Sequence, residues 1–293
     1  MSCTYVLVTA ARNEQELIER TIKSVLRQTV LPTRWVIVSD CSTDHTDEIV
    51  ETYAKKYSFI TLIRVDKEGA RNFGSKANAV IQGLGYINEA YDFLGNVDAD
   101  VELEPKYFEI LLKKFEQDNR LGIAGGEQCD FYRGKYHKVV NDENIVGGAA
   151  QFFRRECYER IGGYVPIDAG GIDFVPVIKA KMLGWKVRTF SELKVFHNRR
   201  EGSSIDKILV ARFKEGVRDY QLGHHVLFQM AKCIRRSVEW PYILSSISRI
   251  LGYFHSLVFM NNNDRPVSDE FIRFLRKEQL KRIQRALLMP KLK

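Results

Sequence analysis

Residues 5–39 read YVLVTAARNEQELIERTIKSVLRQTVLPTRWVIVS, and this stretch decides the fold. Tyr5–Ala10 is a short β-branched run with the composition of a strand. Glu14–Arg27 then places Leu17, Ile18, Val25 and Leu26 at helical spacing with polar residues between them. Trp35–Ser39 is a second strand of the buried type. Strand, helix and strand in immediate succession imply two parallel strands joined by a right-handed crossover.

The alternation continues outward. Asp47–Tyr57 is helical, Ile60–Val65 strand-like, Lys76–Ala90 helical and Phe93–Val97 strand-like. Pro105 suits the first turn of a helix running to about Gln117, and Leu121–Gly126 is another strand. At least four such alternations predict an α/β fold with a doubly wound, mostly parallel sheet. Ligands of such sheets bind beyond the carboxyl ends of the strands, where the winding reverses. The loops after Ala10, Ser39, Val65 and Val97 are therefore expected to face one site.

Further along, 128–148 is polar and irregular, and Arg154–Ile161 reads as a short helix closed by Gly162-Gly163. Val175–Leu183 is a helix stopped by Gly184, and Lys186–Phe190 and Lys194–Phe196 read as strands. After about Ser204 the pattern changes to long helical runs through Val258, a polar break at 261–266 and a basic helix. The expected division is a catalytic domain at 1–204 and a helical, partly amphipathic, basic extension at 205–293.

Composition narrows the function. The 293 residues are 45% apolar and 28% charged, which excludes a mostly disordered chain and a polytopic membrane protein. Five cysteines, widely spaced and without C-x-x-C, argue against a disulfide framework or zinc knuckle and for a reducing compartment. The N-terminal residues lack a basic and apolar leader pattern, and no apolar stretch reaches ~18 residues. The expected location is cytoplasmic. Net charge is +8, yet 271–293 alone hold eight Lys/Arg against one Glu, so the preceding body is nearly neutral. That opposes a nucleic-acid groove and favours a local contact between the tail and something anionic.

Two acidic landmarks carry chemistry. Asp98-Ala99-Asp100 ends a predicted core strand, where residues two apart point the same way. Two carboxylates on one side suit a hard divalent cation that bridges a diphosphate. Roughly one such triplet arises by chance in a chain of this composition, so its position at a strand end is what gives it weight. Asp40-Cys41-Ser42-Thr43-Asp44 ends the second strand. There Asp40 is placed to accept from a nucleobase edge, while Asp44 and Thr46 suit capping of the next helix.

Taken with Asn13-Glu14 after strand one, Gly74-Ser75-Lys76 before a helix, and Ile161-Gly162-Gly163-Tyr164, these segments resemble the inverting family-2 glycosyltransferases. The resemblance runs to about His197, through Gly170-Gly171-Ile172-Asp173 and Gly184-Trp185. It implies the nucleotide-sugar-binding GT-A fold and a metal-dependent enzyme. That enzyme would move one sugar from a UDP-, GDP- or dTDP-linked donor to a saccharide or lipid-linked saccharide. Cell-surface polysaccharide or glycolipid synthesis is the implied setting. Thr9, Ala10, Arg12 and Glu14 would line the nucleoside pocket, Asp40 would read the base, and Lys76 or Arg71 would lie near the phosphates. Asp98 would touch ribose or metal, and Asp100 and His197 would hold Mn²⁺ or Mg²⁺. For His197 a purely structural role stays open.

Inverting displacement needs a carboxylate to take the acceptor hydroxyl's proton, and Asp173 is the candidate base, with Gly170-Gly171 supplying mobility. Asp173 also stands where a helix cap belongs, and the two roles are compatible. Arg199 and Arg200 are placed to neutralise the leaving diphosphate, and Glu127 and Asp130 to face the acceptor. The sequence departs from the family pattern at Ala10-Ala11-Arg12, where Pro-x-aromatic is usual, and at Ile172, where an acid is usual. Those departures keep a second reading alive: a nucleotide-sugar-binding protein with a degraded site. The Gln/Arg-x-x-Arg-Trp motif of processive synthases is absent from its expected place, which favours single-sugar transfer.

On a helical projection of 271–289, Phe271, Ile272, Leu275, Leu280, Ile283, Ala286 and Leu287 share one half, and Arg273, Lys277, Lys281 and Arg285 the other. Upstream, Trp240–Met260 is rich in Trp, Tyr, Phe, Ile and Leu but interrupted by Ser245, Ser246, Arg249 and His255, a pattern suited to grazing a bilayer and poorly suited to spanning one. Both segments either lie on an anionic membrane, here the cytoplasmic face, or pack against the catalytic domain.

Overall fold

The computed structural model describes residues 3–65, 73–132, 134–139, 142–168, 170–198, 205–237, 242–261 and 265–288. The chain forms two compact units, Met1–Asp168 with Ile172–Arg200, and Ala169–Gly171 with Glu201–Lys293.

The first unit begins with the βαβ series read from the sequence: β1 (Tyr5–Ala11), α1 (Ile18–Leu26), β2 (Arg34–Asp40), α2 (Thr46–Lys56), β3 (Ile60–Val65), α3 (Phe73–Leu84) and β4 (Phe93–Val97). It continues with β5 (Val101–Leu103), α4 (Tyr107–Gln117), β6 (Leu121–Tyr132), β7 (Lys135–Lys138), β8 (Ala150–Arg154), α5 (Arg155–Arg160), α6 (Phe174–Met182) and β9 (Lys186–His197). One sheet runs in the order β3-β2-β1-β4-β8-β6-β9-β5, with β7 paired to β6. β1 pairs in parallel with β2 on one side and with β4 on the other, so the winding reverses between β1 and β4. The carboxyl ends of those two strands carry Arg12–Glu14 and Asp98–Asp100, which places both segments at the crevice.

The core beneath the sheet is aromatic. Tyr5 lies 4.8 Å from Phe108 and Phe93 lies 4.9 Å from Phe115, ring centre to ring centre, with Phe152 meeting all four. Ile18, Ile22 and Val25 bring the apolar stripe of α1 into the same cluster. Side chains of this size stabilise by about 1.5–3 kcal/mol each when fully buried.

The second half of the sheet departs from the sequence reading in three ways. The 128–148 segment is not wholly irregular, because β6 extends to Tyr132 and turns into β7 as a hairpin. β8 was not foreseen: it inserts antiparallel between β4 and β6. Its buried Gln151 is satisfied, with the amide donating to the carbonyls of Val146 (3.2 Å) and Asp173 (3.0 Å) and accepting from the Tyr164 hydroxyl (2.7 Å). The two short strands expected near 186–196 are one strand, β9, running alongside β6 with a register shift between Gly126 and Glu127.

The second unit comprises α7 (Ile205–Gln221), α8 (Val226–Arg236), α9 (Ile243–Phe259) and α10 (Asp269–Leu288). α7 and α9 cross at glycines: a Cβ on Gly216 would stand 2.0 Å from the Arg249 carbonyl oxygen, and one on Gly252 would stand 2.1 Å from that of Phe213. At this crossing Arg249 donates to Asp219 (2.9 Å) and Glu215 (2.5 Å), and Lys232 from α8 joins Asp219 at 3.3 Å. α10, the basic helix, buries Phe271, Ile272 and Leu275. Its Arg276 donates to the Gly223 carbonyl (3.0 Å), and its Gln279 accepts from the His225 amide (2.8 Å). Half of its apolar face thus packs inside the unit, while Arg273, Lys277, Lys281 and Arg285 stay exposed. Among the described residues no helix is long and apolar enough to cross a membrane.

Candidate active site

The loops after β1 and β2 are stapled to each other. Asn13 takes a left-handed conformation (φ 54°), which an asparagine tolerates better than most residues. Its side-chain oxygen accepts from the Thr43 amide at 2.8 Å, and its own amide donates to the Ser42 hydroxyl at 3.2 Å. Cys41 is also left-handed (φ 54°) and donates its amide to the Val65 carbonyl at 3.2 Å. Asp44 accepts from the amides of Thr46 (3.0 Å) and Gln15 (3.1 Å), so it organises the start of α2. Two non-glycine residues in this region of the backbone, both beside one crevice, are the kind of strain that functional loops hold.

Asp40 stands at the end of β2 with Arg12 against it, 3.6 Å between Nη1 and Oδ2. Thr9 is buried, and its hydroxyl accepts from the Trp35 indole at 3.0 Å. Ala10 is half-buried at the strand end, and Glu14 is buried with its amide donating to the Thr46 hydroxyl at 2.8 Å.

Beyond β4 the chain presents its carboxylates. The Asp98 amide is anchored to the Ala149 carbonyl on the β8 side (2.9 Å), and its side chain pairs with Lys76 from the first turn of α3 at 2.5 Å. Burial lowers the Lys76 pKa, but the Asp98 charge outweighs it, helped by Asp173 and Asp100, and the net direction is up. Burial raises Asp98, Lys76 opposes and Asp100 adds, leaving that carboxyl above its ordinary value. Asp100 is buried, 3.3 Å from His197 Nε2 at the end of β9, while His197 Nδ1 stands 3.1 Å from Asp130 on β6. Burial pushes the imidazole down, yet hydrogen bonds to Asp100 and Asp130 carry its pKa to about 10.

Asp173 occupies the residue before α6, but its side chain makes no capping hydrogen bond. Its carboxylate lies beside Gly148, where an added Cβ would come within 3.0 Å of Oδ2. Gly170 and Gly171 precede it, both left-handed (φ 92° and 88°), a conformation that favours glycine.

Lys76, Asp98, Asp100, Asp130, Asp173 and His197 thus form one electrostatic neighbourhood drawn from five separate segments. Arg71, Arg199 and Arg200 lie outside the described residues. Glu127 pairs with Lys138 and, at 2.5 Å, with Lys194. An adjoining cleft of about 710 Å³ is lined by Arg12, Asn13, Glu14, Phe131, Tyr136 and Asn198, among others. None of the six cluster residues lines it, although Asn198 follows His197 directly in the chain. Phe131, Tyr136 and Asn198 were missed from the sequence, because the hairpin that carries the two aromatics read as loop.

Among the described residues no group of three or more His, Cys, Asp or Glu is arranged to hold a metal by protein groups alone. The donors present nevertheless fit a divalent ion shared with a ligand. Asp100 Oδ2 and His197 Nε2 are spaced 3.3 Å apart, close to the roughly 3 Å between neighbouring ligands of an octahedral ion. Asp130 holds the other imidazole nitrogen as an orienting carboxylate does in histidine–metal sites.

The curled, mostly parallel sheet with helices is the architecture of GT-A glycosyltransferases. It aligns with the mannosyltransferase PcManGT from Pyrobaculum calidifontis, determined with GDP-Man and Mn²⁺, at TM-score 0.57 and 16% identity, over 99% of this chain and 88% of that one. It aligns with residues 1–349 of S. aureus TarS, in complex with UDP-GlcNAc, at TM-score 0.55 and 14% identity, over 94% and 82%. The model of glycosyl transferase family 2 matches residues 6–164, and the chain belongs to that family. It is 29% identical over 267 residues to the poly-beta-1,6-N-acetyl-D-glucosamine synthase of Staphylococcus aureus (strain COL), covering 83% of this chain and 60% of the synthase. The chain spans about a third to three fifths of the length of the curated relatives it matches.

Proposed function

We propose that this family-2 enzyme transfers one sugar, with inversion, from a nucleotide-diphosphate sugar to a hydroxyl acceptor. The setting would be synthesis of a cell-surface polysaccharide or glycolipid in the cytoplasm. The observation that carries the reading is the gathering of Asp98, Lys76, Asp100 and Asp173 at the point where the sheet reverses its winding. Similarity to a polysaccharide synthase supports the pathway class. Neighbours crystallised with GDP-Man and UDP-GlcNAc support a nucleotide-sugar donor without choosing the base.

In this reading the Asp173 carboxylate takes the proton of the acceptor hydroxyl as its oxygen bonds to the anomeric carbon. The bond from that carbon to the diphosphate breaks on the opposite face, so the configuration inverts. Lys76 lies beside Asp98, positioned to offset charge growing on the departing phosphate. Asp100 and His197 would hold Mn²⁺ or Mg²⁺, which would neutralise the diphosphate when bound.

The test is nucleoside-diphosphate release and product mass with UDP-, GDP- and dTDP-sugars, with and without Mn²⁺. A product one sugar heavier and of inverted configuration is expected. A ladder of masses overturns single transfer, and donor binding without any turnover supports the degraded-site reading that Arg12 and Ile172 keep alive.

A further inference from the structure

α9 has its polarity reversed. The side facing its own unit holds Ser245, Ser246, Arg249, Gly252, Tyr253 and Ser256. The side facing outward holds Ile243, Leu244, Ile247, Leu251, Phe254 and Val258, with Ile243 63% and Val258 71% exposed. A helix packed in a water-soluble unit turns the opposite way, apolar stripe inward. The inward polarity is not accidental, because Arg249 is fixed by Asp219 and Glu215 and the Ser246 hydroxyl donates to the Cys233 carbonyl at 2.7 Å. α8, packed beside α9, does the same: Gln229 and Cys233 are buried, while Leu227 and Ile234 are 58% and 71% exposed. Two adjacent helices thus each present an outward apolar stripe, more than the scattered apolar residues any surface carries.

Charge indicates what covers it. α8 and α9 contain no Asp or Glu; Lys232 and Arg249 are engaged inside the unit by Asp219 and Glu215, while Arg235 is exposed and Arg236 half-buried. Residues 201–293 hold 17 Lys/Arg against nine Asp/Glu, the entire net charge of +8, and α10 adds exposed Arg273, Lys277, Lys281 and Arg285. A second copy of this face would bring like charges together, whereas an anionic bilayer supplies both hydrocarbon and the opposite charge. The 17 residues of α9 span about 25 Å, short of the ~30 Å hydrocarbon core, so the helix cannot cross and must lie flat.

We propose that the outward face of α8 and α9 inserts in the plane of an anionic membrane, and that the buried half of α10 is a packing element. This moves the lipid contact away from the apolar side of the basic helix. It does not depend on the sugar-transfer chemistry.

The test is co-sedimentation of the full chain with phosphatidylcholine vesicles containing about one third phosphatidylglycerol, at ionic strengths giving Debye lengths of ~14 Å and ~4 Å. Binding is expected at low salt and is expected to weaken at high salt. The triple variant Leu251→Ser, Phe254→Ser, Val258→Ser, all at outward positions, should lower partitioning at least about tenfold with an unchanged urea midpoint. Arg235→Gln with Arg236→Gln should lower it by about tenfold and flatten the salt dependence. If the intact chain ignores these vesicles, or the triple variant binds as well as the parent, the proposal is overturned. A parent dimer that the triple variant converts to monomer, without vesicle binding, overturns it in favour of self-association.

Discussion

Changing Asp173→Asn separates the two things a carboxylate at the start of α6 can do. Asparagine keeps the shape, so the tight fit beside Gly148, where the carboxylate would lie 3.0 Å from an added Cβ, is preserved. The side chain makes no capping hydrogen bond, so the usual cost of about 1 kcal/mol for losing a helix cap should be absent. What the amide cannot do is accept a proton from the acceptor hydroxyl. General-base assistance contributes about 10²–10⁴-fold, equivalent to roughly 2.7–5.4 kcal/mol of barrier. The expected result is a fall in kcat of that size, with donor Kd within about twofold and an unchanged urea midpoint. The assay is nucleoside-diphosphate release at saturating donor, with donor affinity measured separately by calorimetry. A fall in kcat under tenfold, or a loss of about 1 kcal/mol of stability with kcat intact, would refute the argument and return Asp173 to a role in starting the helix.

Asp100→Ala should abolish transfer while the chain still folds, and EDTA should do the same to the parent; full activity in either case removes the ion from Asp100 and His197. Because His197 is held protonated between Asp100 and Asp130, with its pKa carried to about 10, Mn²⁺ binding near pH 8 should release about one proton, read from calorimetric enthalpies in buffers of different ionisation heat. Gly216→Ala forces a Cβ to within 2.0 Å of a backbone oxygen, and should destabilise the helical unit by about 3 kcal/mol in urea unfolding, with no loss expected in the first unit's own transition. Burial holds His224 down to about 3, against the pull of Asp219, so it is neutral in the folded unit where an unfolded chain protonates near pH 6.5. Stability from this residue is therefore complete above pH 6.5 and is lost as pH falls from 6.5 toward 3, by up to a few kcal/mol; His224→Gln should flatten that slope in urea titrations.

The parallel half of the fold was legible because its signals are local. The runs at Tyr5, Trp35, Ile60 and Phe93 and the helical spacing between them depend on residues a turn or two apart, and each strand landed within two positions of its expected place, while α3 ends at Leu84 rather than at Ala90. β8 was not legible: Ala150–Arg154 is five residues with a glutamine in the middle, and only pairing with Phe93–Val97 and Ile123–Ala124 makes it a strand. In the site, Asp98 and Asp100 were marked by position after a strand. The pairing of His197 with Asp130 was not, because those residues are 67 apart and meet only through the parallel alignment of β6 with β9.

By itself, then, the sequence determined the βαβ winding, the placing of acidic residues at strand ends and the concentration of positive charge in the last third of the chain. All three follow from composition and short-range periodicity. The tertiary structure alone decided which carboxylate meets which cation, the pairing of Arg12 with Asp40 included. It also decided which side of each helix faces out. The hydrophobic pattern of α9 records that it has an apolar face, but whether that face is inward depends on the ion pairs of Arg249 with Glu215 and Asp219, 34 and 30 residues away, and on glycine contacts that let α7 come within touching distance. Amphipathicity is a property of one helix; burial is a property of what packs against it.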